Sequence, residues 1–321
     1  MGIGRISVDD LSDFVTECDA LGGIADPRVA KYVADFTLSY RSAINETLDP
    51  FGDEYFRQQM ALYREIAGRD IDQSTGELMP LDVPTHAASA NPYNTADLSF
   101  MTKHVRSVAT AMLIAKLPPN ADVLDIGSGW GLSSEVIAFC GATVTSVDIN
   151  PLFVDLASQR AKRLNLPIDA RQGNFDHFEI DKKFDVAFFY ECLHHALRPW
   201  VVVENAGRHL KEGGKIVFSG EPVYPYWKNW GLRLDAVSIY CIRKFGWFES
   251  GWSAEFIIAA FSRAGFKLEL VPHVGLENGP VGIAHRTNER AVFDLGVAAP
   301  SSSLRVATRH RLLQWIRGGR K

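Results

Sequence analysis

Short apolar runs alternate with stretches of helical periodicity from about residue 121 to residue 286, regularly enough to assign elements. Val123-Leu124-Asp125-Ile126, Thr143 to Asp148, Ile168 to Arg171, Phe184 to Tyr190, Lys215 to Ser219, Phe266 to Val271 and Val281 to His285 are short, rich in Val, Ile and Phe, and mostly flanked by turn residues, as buried strands are. Between them lie predicted helices over about Leu132 to Cys140, Leu152 to Leu164, Pro199 to Leu210 and Ala254 to Ala264. Asn150 ahead of Pro151, and Ser253 ahead of Ala254, supply caps. This alternation predicts an α/β fold with a mostly parallel sheet and helices on both faces.

The front of the chain reads as helical instead. Ser7-Val8-Asp9-Asp10 is a helix start, Leu11, Phe14, Val15, Cys18 and Leu21 recur at helical spacing, and Gly22-Gly23 stops them. Asp26-Pro27 opens a second helix, predicted to run to about Thr47, and a third spans about Glu54 to Ala67 before Gly68. Asp70 to Asn94, rich in Pro, Ser, Thr, Asp and Asn, reads as a loop before a helix over about Asp97 to Lys116. The resulting division is an N-terminal helical region and linker over 1–96, a nucleotide-type domain over 97–290 with an aromatic insertion at 221–252, and a tail over 291–321. Residues 1–70 fit either a cap over the site or a packing and dimerisation unit that makes a homo-oligomer.

Composition narrows the class. A chain of 321 residues with 46% hydrophobic content can bury a full α/β core and carry a smaller extra region. No run of eighteen apolar residues and no basic stretch followed by an apolar one occurs, so neither a membrane span nor a signal peptide is expected. Cys18, Cys140, Cys192 and Cys241 lie far apart, which points away from a disulfide framework or zinc site and towards a reduced, cytoplasmic setting. Residues 1 to 80 hold fifteen acids against seven Lys or Arg, a front that disfavours a nucleic-acid partner. Ser301 to Lys321 hold six bases and no acid beside Leu304, Val306, Leu312, Leu313, Trp315 and Ile316. Such a tail suits a self-packed terminal helix, or contact with an anionic membrane surface.

The chemistry is concentrated where the first strand of the alternation ends. Val123-Leu124-Asp125-Ile126-Gly127-Ser128-Gly129-Trp130-Gly131 passes from strand to glycine-rich turn to helix, and the glycines let a ligand approach the backbone closely. Dinucleotide turns read G-x-G-x-x-G and place a pyrophosphate on the helix N-terminus. Here the order is G-x-G-x-G with Asp125 two residues ahead, a carboxylate that repels a pyrophosphate and suits a cationic or amine-bearing ligand. A nicotinamide oxidoreductase is therefore disfavoured.

This stretch resembles motif I of the class I methyltransferases that use S-adenosylmethionine (SAM). The resemblance covers about Asp97 to Arg286 and implies a Rossmann-like seven-stranded sheet, with Val281 to His285 as its antiparallel strand. It also implies that Asp125, Gly127, Ser128, Gly129, Trp130 and Gly131 hold the methionyl part of the cofactor. Asp148 closes the second strand, where a carboxylate can take both ribose hydroxyls, next to Ile149. Asn174 stands where the family commonly has Asp, and its amide oxygen could accept from the adenine amine; Phe175 could lie against the adenine or belong to the core. Glu191 to His195, just past the fourth strand, should face the methyl donor.

Transfer of a methyl from a sulfonium needs alignment and exclusion of water, and an alcohol acceptor also needs its proton removed. His194, His195 and Glu191 are the candidate bases, with Glu221 a further one; no metal-ligand pattern is present, so no metal is expected. Tyr224, Tyr226, Trp227, Trp230, Trp247 and Trp252 crowd the insertion after the fifth strand, and with Tyr93 are the candidates for acceptor contacts. They could equally form a satellite core. The chain as a whole is similar to bacterial methyltransferases of sugar and cell-surface polysaccharide pathways, which implies O-methylation of a glycan or small-molecule hydroxyl. Trp130 within Gly-Ser-Gly-Trp-Gly also resembles the fatty-acid cyclopropane synthases, which implies a lipid-like acceptor. A SAM-binding regulator without catalysis is the non-enzymatic alternative.

Overall fold

The computed structural model describes residues 3–72, 80–272 and 279–287, in two compact units. The tail over 291–321 lies outside the described residues. No described helix is long and apolar enough to cross a membrane.

One unit gathers residues 3–72 and 231–249. Ser7 accepts from the Asp9 N–H while Asp10 reaches back to the Ser7 N–H, so a capping box forms at the predicted helix start and leads into the helix Leu11–Ala20. Leu11, Phe14 and Cys18 are its buried stripe. Asp26 caps the next helix, but that helix spans only Pro27–Tyr32 instead of reaching Thr47. Thr37–Ser39 is drawn off into a parallel pair with Arg5–Ser7. The chain after it is held by side chains, with the Glu65 carboxylate accepting from the Arg41 and Ser42 N–H groups and Gln58 from that of Asn45. Long-range partners therefore decide this stretch against local helix propensity. The helix Asp53–Ala67 ends at Gly68, whose φ of 70° permits the left-handed cap. Residues 231–249 join this unit through the helix Ala236–Phe245, whose Ile239 and Ile242 are fully buried. Tyr63 donates to the Gly246 carbonyl at 2.7 Å, and Lys244 to Asp19 at 2.7 Å.

The other unit gathers residues 80–230 with 250–272 and 279–287 around a seven-stranded sheet. Its strands are β1 (Asp122–Ile126), β2 (Thr143–Asp148), β3 (Ile168–Gln172), β4 (Phe184–Tyr190), β5 (Leu210–Ser219), β6 (Phe266–Val271) and β7 (Val281–Arg286). They lie in the order β6-β7-β5-β4-β1-β2-β3, with β1 to β5 parallel and β7 antiparallel to both neighbours. Alternation sorts the side chains. Val123, Val144, Val186, Phe188 and Val217 pack with Val108, Ala111 and Met112 of the helix Leu98–Ala115 and Ile137 of the helix Leu132–Phe139. Residues between them in sequence, such as Phe218, face the opposite way, towards Phe261 of the helix Ala254–Arg263. At β7, Gly282 is required because a Cβ there would fall 2.1 Å from the Phe218 ring.

The segment 80–96, expected to belong with the N-terminal region, packs instead with the sheet unit and contains a short helix, Val83–Ala88, capped by Asp82. The insertion is divided as well: 231–249 belongs to the helical unit, while Tyr224 to Trp230 and Ser250 to Trp252 stay with the sheet.

Candidate functional site

The strand order reverses direction between β1 and β4, which places a crevice outside their carboxyl ends. The glycine turn sits there. Gly127 (φ 68°), Gly129 (φ 50°) and Gly131 (φ 81°) are all left-handed, and the Gly127 and Ser128 N–H groups donate to the Val147 carbonyl at 2.8 and 3.2 Å. A Cβ on Gly127 would meet Cys192 and Phe175 at 3.0 Å, whereas one on Gly129 would meet nothing within 4 Å among the described residues. One side of the turn is thus packed and the other open. Ser128 is buried beneath it and accepts from Ser146 at 2.8 Å.

Asp125 is fully buried. Its Oδ2 accepts from the Ser133 and Ser134 hydroxyls at 2.7 and 2.5 Å, on the first turn of the helix Leu132–Phe139, but its Oδ1 has no hydrogen-bond partner among the described residues. Burial pushes its pKa up to about 6, against the two serine donors that lower it. An ionisable oxygen left unsatisfied in a buried place is costly unless a ligand completes it. Asp148 ends β2 and turns back onto the same loop, Oδ2 accepting from the Gly129 N–H at 2.7 Å and Oδ1 from the Asn150 N–H at 2.8 Å. Burial raises its pKa to about 6 too, with Asp125 contributing in the same sense. Each carboxylate oxygen has a second lone pair for a ligand hydroxyl. Ile149, beside it, is half-buried.

Beyond β4 the chain enters Glu191 with a left-handed φ of 50°, a strained value for a non-glycine residue. Its carboxylate lies 3.5 Å from His104 Nδ1, and that nitrogen lies 2.6 Å from the Tyr190 hydroxyl. Burial lowers the His104 pKa to about 4, with Lys103 adding to the effect, so this ring is neutral at pH 7. Glu221, two residues past the end of β5, is fully buried and accepts from the N–H groups of Cys192, Leu193 and His194 and from His194 Nδ1 at 2.9 Å. Burial alone would raise its pKa, but His194 and the backbone donors outweigh it and hold the carboxyl below its ordinary value. Glu221 therefore positions His194 and shapes the turn around it. His195 packs against His194 with ring centres 4.2 Å apart and the planes tilted by 40°.

Aromatic rings line the turn. Trp130 contacts Tyr93 (5.4 Å), His86 (4.8 Å) and Phe153 (5.3 Å), and Tyr93 contacts His104 (5.5 Å). Tyr93 is thus placed against the glycine turn through Trp130. Phe175 lies against Gly127 on the packed side of the turn and near Phe189. The Asn174 amide oxygen is engaged otherwise than expected: it accepts from the Asp176 and His177 N–H groups at 3.1 and 2.7 Å, so both its lone pairs are used in its own turn. That leaves none for an adenine amine.

The insertion aromatics separate. Trp252 is fully buried and Trp230 nearly so, the latter 6.3 Å from Phe256, so both serve as core, a correction to their reading as acceptor contacts. Trp247 packs against Phe245 within the helical unit. Tyr224, Tyr226 and Trp227 form a cluster of their own, with Tyr226 largely exposed. Sequence reasoning did not find His104, Ser133, Ser134, His86 or Arg160; their partners lie far along the chain, and only the paired serines just after Gly131-Leu132 offered a local signal.

Residues 124–218, which hold the turn, Asp148 and Glu191 to His195, match the family described as a methyltransferase domain. A ubiquinone biosynthesis O-methyltransferase of Coxiella burnetii is 36% identical over 98 residues, 30% of this chain and 42% of that protein. A demethylmenaquinone methyltransferase of Tropheryma whipplei is 36% identical over 121 residues, 37% of this chain and 49% of the other. This chain spans less than half the length of these curated relatives. Among solved structures, the CcbJ methyltransferase from Streptomyces caelestis aligns with a TM-score of 0.45 and 14% identity over 67% of this chain and 100% of its own.

Proposed function

We propose that this chain is a SAM-dependent methyltransferase that acts on a hydroxyl group. The observation that carries the reading is Asp125: a buried carboxylate with one oxygen unpartnered among the described residues, beneath a glycine turn at the sheet's reversal point. SAM fits these residues. Asp125 would meet the donor's amino end, the open side of Gly129 would admit its backbone-close portion, and Asp148 would take the ribose hydroxyls. The match over 124–218 supports the same assignment. When bound, SAM supplies an electrophilic methyl on a positively charged sulfur.

The remaining work falls to the protein. Glu221 accepts at His194 Nδ1, which fixes the tautomer with its proton on Nδ1 and makes Nε2 the basic nitrogen, the arrangement a general base requires. We assign His194 that role, with Glu221 as its positioning residue and His195 and Glu191 as the competing candidates. Two acceptor classes stand behind the hydroxyl reading: a glycan hydroxyl, from the sequence resemblance, and a hydroxyl of a ubiquinone precursor, from the name of the O-methyltransferase relative.

The test is mass spectrometry of saccharides, catechols and lipids incubated with the protein and methyl-labelled SAM. A gain of one methyl on an oxygen supports the reading; a methylene gained by an acyl chain moves it to the lipid alternative, and donor binding without any transfer moves it to a regulator. On the acceptor so found, His194→Ala should lower turnover by about 10²-fold or more and leave donor affinity within about twofold. Undiminished turnover would reassign the base to His195 or Glu191.

A further inference from the structure

Arg160, on the helix Pro151–Leu164, is fully buried, and its guanidinium joins two sets of acceptors. One is Glu135, which takes Nε on Oε1 and Nη2 on Oε2, the latter at 2.9 Å. The other is the backbone that follows the short helix Val83–Ala88 and its last turn. Nη1 donates to the carbonyls of His86 (3.0 Å) and Ser89 (2.8 Å), Nη2 reaches that of Ala90 (3.4 Å), and Arg163 adds a second bond to Ser89 at 2.8 Å. Only a planar group with several donors can serve a carboxylate and three carbonyls at once.

The clamped segment leads to the glycine turn. The His86 ring lies 4.8 Å from Trp130 and its Nδ1 is 2.8 Å from the Pro92 carbonyl, and Tyr93 touches Trp130 from the same segment. Val83, Ala87 and Leu156 form a buried cluster on which Leu81 and Trp130 pack. A buried ion pair is weak evidence for stability, because apolar residues of similar volume often hold a fold as well. What this pair supplies is geometry, a fixed place for the carbonyls of residues 86, 89 and 90.

We propose that Arg160, held by Glu135, is a positioning residue for donor binding: it fixes residues 86–93 as an aromatic cover on Trp130 beside the turn, and so sets how long the donor stays bound. This rests on the donor reading above. Dissociation is the sensitive quantity, since a cover in place acts mainly on escape.

The experiment follows binding of S-adenosylhomocysteine (SAH) to the full chain by calorimetry and stopped-flow tryptophan fluorescence, for the wild type, Arg160→Lys and His86→Ala. Arg160→Lys keeps a charge opposite Glu135 but cannot span the carbonyls; His86→Ala removes the ring on Trp130 and leaves the clamp. Both should raise the SAH dissociation rate about tenfold or more while the association rate changes less than about threefold. Amide exchange over 86–94 should quicken in Arg160→Lys. An unchanged dissociation rate in a folded variant overturns the inference, as does a loss carried by slower association in proportion to a lowered melting temperature. Should Arg160→Lys not fold, His86→Ala decides on the same rates. A wild type that does not bind SAH overturns the donor reading and this inference with it; a wild type that binds, with variants that release SAH at its rate, overturns the inference alone.

Discussion

Asp125 and Asp148 set the chemistry of the site. Both have pKa values raised by burial to about 6, roughly two units above the ordinary aspartate, which corresponds to on the order of 3 kcal/mol for each. The folded value lies above the unfolded one. Their contribution to stability is therefore fully present below about pH 4 and lost as pH rises through 6. A ligand amine at Asp125 and hydroxyl donors at Asp148 reverse the balance by favouring the charged carboxylates, so SAH affinity should rise from pH 5 to pH 7 with release of protons, read by calorimetry in buffers of different ionisation enthalpy. Asp125→Asn keeps an acceptor for Ser133 and Ser134 while removing the charge. It should raise the melting temperature of the ligand-free protein at pH 8, flatten the stability slope between pH 4 and 6, and weaken SAH binding about tenfold or more. A variant that melts lower at pH 8 yet binds SAH as the wild type does would show that Asp125 is only a structural group.

Elements were legible wherever one short-range rule governed them. The ends of β2, β4 and β6 fall at the residues their apolar runs indicated, the helix start at Ser7 to Asp10 lies where the sequence indicates it, and the caps at Asn150 and Ser253 form. The helix from Pro27 stopped early because Thr37–Ser39 found a strand partner thirty-two positions away at Arg5–Ser7, a preference no local window contains. The helix Val83–Ala88 was hidden among turn-forming residues, and its anchor, Arg160, resembles an ordinary solvent-facing arginine until Glu135 and the carbonyls are placed around it. The insertion aromatics misled for a related reason, since residue type alone does not separate a core tryptophan from a ligand-facing one. That separation can be measured by urea unfolding. Trp252→Ala should cost about 3 to 5 kcal/mol, and Tyr226→Ala should stay within about 0.5 kcal/mol. Equal costs would mean that Trp252 is not the packed residue described.

The whole chain is built by excursion and return. It leaves the sheet unit after Trp230, contributes residues 231–249 to the helical unit, and comes back at Ser250 to form the sixth and seventh strands. The helix Ala236–Phe245 therefore depends on residues at the front of the chain: Tyr240 and Lys244 bond Asp19, Arg243 bonds Ser12 and the Ile66 carbonyl, and Tyr63 bonds Gly246. Removing residues 1–72 should leave the buried face of Ile239 and Ile242 uncovered. The shortened protein should bind the dye ANS strongly and elute as aggregates, whereas a monomer with wild-type dye binding would mean that 231–249 finds its fold alone. The sheet unit, with its acids and glycine turn, carries the central claim that a sulfonium donor is held at the carboxyl ends of β1 and β2. The most direct test is a calorimetric titration of the intact wild-type protein at pH 7.5 with SAH and, separately, with NAD. The account predicts one saturable SAH site and no heat from NAD; no heat from SAH, or binding of NAD in its place, would contradict it.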